Sequence, residues 1–183
     1  MPAKIVPGFA SVWAQLNPQH PGLDDTEKRL RFLVLFFVGM SLYQVVAEFS
    51  MLAYCVQELA REPLACLCYL ALFLVVPAAA LALAQRWPLG WTIAAGYLAY
   101  SLAGALFGLW AALTWRPSGV PALDLMFLHP SPLASVLWGA VATGGLVALG
   151  QPAVRQVFAA GPRRLAAAGL VAAVLASAAT LFR

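Results

Sequence analysis

A single carboxylate interrupts the first long apolar stretch of this chain. Within 32–57 the only formal charge is Glu48, and Ser41, Gln44 and Cys55 share its helical face, seven and four residues before it and seven after. An ionised carboxylate alone in hydrocarbon costs several kcal/mol, so acids at membrane depth face a bundle interior or a watery cavity. No Lys or Arg lies at comparable depth to neutralise it. The chemistry on offer is binding of a proton or cation at Glu48, with Gln44, Ser41 and Tyr97 as neighbours. The plainer role is a neutral acid hydrogen-bonded across helices as packing glue.

The remaining polar residues point to packing rather than reaction. Tyr97, Ser101, Gly104 and Gly108 follow one helical face, and Gly104 and Gly108 form a GxxxG element that lets backbones approach closely. Ser135, Gly139 and Thr143 repeat the pattern in the next run, and Gly169, Ala173 and Ser177 in the last. Tyr97, Tyr100 and Ser101 are candidate hydroxyl partners for Glu48. Cys55 and Cys66 are nearly equidistant from the turn between them, which places them at similar depth. Buried apolar thiols explain them more simply than a disulfide does. Asp124 and His129 lack a nucleophile or a third partner, and Asp124 reads as a helix N-cap within a short interfacial helix. No Cys/His spacing suits a metal, and no motif implies a cofactor. Enzymatic chemistry is therefore not expected.

The elements that must position these groups are membrane helices. Hydrophobic residues make up 63% of the 183 and charged residues only 10%, against about 25% charged in soluble domains. That is too little charge for a watery shell, so the apolar surface must meet lipid. The net charge of +4 does not signal nucleic acid, because the basic residues sit singly or in pairs between apolar runs.

The spacing predicts an all-α polytopic bundle over 24–183, with spans at 32–57, 64–85, 88–115, 132–150 and 165–182. The Ala-rich fifth is the weakest. Residues 1–23 form a cytoplasmic or interfacial segment, with a short interfacial helix expected over 9–16. Asp24, Asp25 and Glu27 before Lys28, Arg29 and Arg31 suit a helix start, from which the first helix is expected to run unbroken. Pro77 should kink the second span without ending it.

With the N-terminus inside, Lys4, Lys28, Arg29, Arg31, Arg86, Arg155, Arg163 and Arg164 face the cytoplasm, and only Arg61, Arg116 and Arg183 lie outside. This is a positive-inside bias. Trp87 and Trp91 at one end of the third run, and Trp110 and Trp115 toward the other, read as interface belts. The expected setting is a cell membrane of the bacterial inner-membrane type, with lipid as the surrounding partner and a homo-oligomer or larger membrane complex as candidate assemblies. The expected role is a non-enzymatic structural or accessory component. The alternative is a small transporter or channel that uses Glu48.

Overall fold

The computed structural model describes residues 17–19, 22–114, 116 and 131–181, and every regular element among them is an α-helix. In chain order these are α1 (Asp25–Ala47), α2 (Phe49–Glu58), α3 (Pro63–Ala84), α4 (Pro88–Thr114), α5 (Pro132–Gly150), α6 (Pro152–Val157) and α7 (Pro162–Leu181). Four of them, α1, α3, α4 and α5, are long and apolar enough to cross a membrane. The interfacial helix at 9–16, the loop pair Asp124 and His129, the belt residue Trp115 and the chain end at Arg183 lie outside the described residues.

The helix boundaries follow local chemistry. Helices α3 to α7 all begin on proline, whose missing N–H falls where a helix has no use for one. Asp24 caps α1 by accepting the Glu27 amide at 2.6 Å, and Ser131 caps α5 through the Ala134 amide at 3.3 Å. Helix α3 runs through Pro77 without ending. It stops where Arg86 turns left-handed (φ 55°), with the Trp87 amide reaching back to the Ala82 carbonyl at 2.9 Å and the Arg86 amide to Leu83 at 3.0 Å. That is the two-bond closure of a Schellman turn. The same closure ends α6, at Ala159 (φ 47°), with the Ala160 amide on Arg155 O at 2.8 Å.

Helix α4 is the centre of the bundle, with α3, α5 and α7 packed along it. Helix α1 packs chiefly on α3 and touches α5 and α6 more narrowly, while α2 lies against α3. The approaches are close because the contact residues are small, as membrane helices require when lipid removes any hydrophobic drive between them. A Cβ on Gly96 would stand 2.7 Å from Val171 and 2.8 Å from the Ala168 carbonyl. One on Gly90 would meet the Ala82 backbone at 2.6 Å, and one on Gly145 the Leu98 side chain at 2.8 Å.

The dense core occupies one end of the bundle. Leu33, Phe37, Leu83, Trp91, Leu149 and Phe158 are buried together there. Trp91 is a correction to the belt expectation. It is 2% exposed, and its indole donates to the Leu149 carbonyl at 2.9 Å, one of the last-turn carbonyls of α5 that has no partner within its own helix. Trp87 and Trp110 do face outward. Helix α6, within what reads as a plain loop, sends Val154 into this core, with its C-cap Phe158 beside it.

The same end gathers Lys28, Arg29, Arg31, Arg86, Arg155, Arg163 and Arg164, while Arg61 and Arg116 mark the opposite end. Arg86 pairs with Glu27 at 2.5 Å, Arg31 with Glu27 at 3.3 Å, and Arg29 with Gln151. The Arg86–Glu27 and Arg29–Gln151 bonds fasten the start of α1 to the α3–α4 and α5–α6 turns, while Arg31–Glu27 braces α1 itself.

Candidate intramembrane site

The first span is not one unbroken helix. At Glu48 the backbone leaves helical geometry (φ −104°, ψ 13°), separating α1 from α2. The hydrogen-bond ladder still passes the break, with the Glu48 amide on Gln44 O and the Leu52 amide on Glu48 O, both at 2.9 Å. Neither proline nor glycine sits there. The residue that departs from the helix is the one whose side chain is tethered to the next helix: the Tyr69 hydroxyl of α3 donates to Glu48 Oε2 at 2.8 Å. Oε1 has no partner among the described residues.

Beside this bond, α1, α4 and α5 diverge and leave a cavity of about 480 Å³ in the half of the bundle away from the dense core. Gln44 and Glu48 line it from α1 and the break, Tyr97, Ser101 and Gly104 from α4, and Ser131, Ser135 and Trp138 from α5. Tyr43 closes on Trp138 across the α1–α5 gap, ring centroids 5.6 Å apart, and Phe37 packs edge-on to Tyr97 at 6.4 Å, joining the cavity to the core. Gln44 Oε1 is buried without a hydrogen-bond partner among the described residues. An unsatisfied buried acceptor costs about 1–3 kcal/mol, which a bound donor would recover. No Lys, Arg or His lines the cavity among the described residues.

The structure thus brings Glu48, Gln44 and Tyr97 to one cavity and leaves Ser41 out. The Ser41 hydroxyl donates to the Phe37 carbonyl of its own helix at 2.7 Å, on the side that meets Pro77 of α3. Tyr97 and Ser101 share the cavity, but the hydroxyl bonded to Glu48 is that of Tyr69. No spacing in the sequence marked it: Glu48 lies ten residues before the end of α2 and Tyr69 six after the start of α3, unlike Cys55 and Cys66, which are equidistant from the turn between them. Those two cysteines are buried, free, and in thiol-to-thiol contact.

The small-residue positions divide similarly. Gly108 lies against Ser135, where a Cβ would stand 2.9 Å from its Oγ, and Gly139 makes an ordinary 3.6 Å approach to Ala105. Gly104 and Gly169 have nothing within 4 Å, and Gly104 instead opens the cavity wall. Thr143 faces outward and bonds the Gly139 carbonyl at 2.7 Å. Tight approaches fall at Gly108 and, beyond the expected positions, at Gly90, Gly96 and Gly145.

Among the described residues no three of His, Cys, Asp and Glu come together as a metal site. Fold and site define a multi-pass helical membrane protein, with a polar cavity set between its helices. Comparison with protein families, curated proteins and solved structures finds no match.

Proposed function

We propose that this chain is a small membrane carrier or channel that binds a proton or cation at Glu48, presented through the cavity between α1, α4 and α5. The observation that carries this reading is the joining of Glu48, with one oxygen free, to the unsatisfied Gln44 carbonyl and to the hydroxyls of Tyr97, Ser101 and Ser135 around one cavity. A dry packing bond would need no such space. The dense core closes the other end, as one state of an alternating-access carrier would.

In this reading α7 crosses as a fifth span. Its 20 residues rise about 30 Å at about 1.5 Å each, and it packs along α4. The basic end then lies in the cytoplasm together with the N-terminus, and the cavity belongs to the outer half. A cell membrane of the bacterial inner-membrane type fits this asymmetry.

A structural role in a larger membrane assembly or homo-oligomer is the second reading. It is favoured by the Tyr69–Glu48 bond, and by an α5 whose apolar window is only 11% buried within the chain. Reconstitution into liposomes carrying an internal pH- or sodium-sensitive dye separates the two. Glu48→Gln, which keeps an acceptor for Tyr69, should lower flux at least about tenfold, with helicity and thermal unfolding unchanged. Equal flux in both proteins would end the transport reading and leave the assembly component.

A further inference from the structure

We infer that the cavity takes an organic ammonium ion with apolar substituents, seated among the aromatic side chains of Tyr43, Tyr97 and Trp138 with Glu48 as its counter-charge. The inference rests on the reading of Glu48 as a ligand-binding group and narrows the ligand. Size is the first argument. The cavity measures about 480 Å³, within the roughly 300–1,000 Å³ of small-molecule sites. A bare metal cation instead needs a tight shell of several oxygens at roughly 2–2.6 Å.

Composition is the second argument. Three aromatic side chains and one carboxylate line the space, and no cationic side chain competes for the carboxylate among the described residues. Aromatic faces attract cations through the ring quadrupole, and this is how quaternary ammonium groups are held. The Tyr43–Trp138 pair, tilted 54° to one another, forms a wall that a spherical alkylammonium can meet without directional hydrogen bonds. Met40, Ala47, Ala105 and Ala134 give part of the lining an apolar surface that matches alkyl arms, beside the polar Gln44, Ser101, Ser131 and Ser135. Tyr69 occupies Glu48 Oε2 and so fixes the carboxylate with Oε1 available.

Tetrapropylammonium, titrated calorimetrically into the full chain in lipid nanodiscs, tests this. The wild type should bind it saturably. Glu48→Gln should weaken binding at least about tenfold and Trp138→Leu about fivefold, while Trp138→Phe, which keeps a ring face, should retain most of the affinity. Helical content and thermal unfolding should stay at wild-type values in all three. The absence of saturable binding in the wild type would overturn the inference, as would unchanged affinity in Glu48→Gln or Trp138→Leu. If Glu48-dependent proton or sodium flux persists while tetrapropylammonium does not bind, the ligand class falls and the ion site stands. If both are absent, both fall.

Discussion

At Gly96 the space for a side chain is already taken. A methyl there would press on the Val171 side chain and on the Ala168 carbonyl of α7, both under 3 Å away, and backbone cannot step aside as a flexible side chain can. Gly96→Ala should therefore destabilise the protein by about 1–3 kcal/mol, even though alanine favours a helix over glycine by about 1 kcal/mol. Gly169→Ala, on the facing helix but in open space, should leave stability unchanged or raise it by up to about 1 kcal/mol. Thermal unfolding of both variants in the same detergent, followed by circular dichroism, reads the contrast. A Gly96→Ala protein as stable as the wild type would show that α4 and α7 are not held this closely. The sequence marks both residues as small but says nothing of which one meets a neighbour.

For the elements, the informative places are the ends. Prolines, Asp24 and Ser131 fix where helices start, and these are visible in the sequence because the reason is local: a cap or a missing N–H acts on its own first turn. The end of α3 falls where the 64–85 span was expected to stop, but the left-handed turns at Arg86 and Ala159 are not visible, since neither glycine nor asparagine marks them. A non-glycine residue in that region carries about 1–2 kcal/mol of strain. Ala159→Gly should relieve part of it and stabilise the α6–α7 turn by about 0.5–1 kcal/mol net of the entropy glycine adds to the unfolded chain. A higher unfolding temperature for Ala159→Gly is the expected result, and a lower one would show that the methyl contributes packing worth more than the strain. The break at Glu48 is a different kind of end. It coincides with a bond to another helix, and so lies beyond any local rule.

For the whole molecule, charge and packing divide the bundle the same way. Most of the basic residues and the dense core share one end, while the cavity and Glu48 occupy the other half. If α7 crosses the membrane with the basic end inside, an alkaline-phosphatase-type reporter fused after Arg183 should be active outside the cell, and a fluorescent reporter fused before Met1 should fluoresce inside. Phosphatase activity absent at the C-terminus, with a cytoplasmic reporter active there, would reduce the bundle to four crossings and leave α7 lying against α4 from one side.

Hydropathy runs, prolines and the distribution of Arg and Lys determined that this chain is helical, where its long helices lie and which ends share a charge, because each of those properties acts through neighbouring residues alone. Which side chains meet was decided only by the tertiary structure. Helices α3, α4 and α5 are apolar almost all round, so no hydrophobic face tells the sequence reader which side turns inward. In lipid that choice falls to close packing and to hydrogen bonds between helices. Those forces placed Ser41 against its own backbone, buried Trp91 on the Leu149 carbonyl, gave Tyr69 to Glu48, and left a cavity beside Gly104 where tight helix contact had been the expectation.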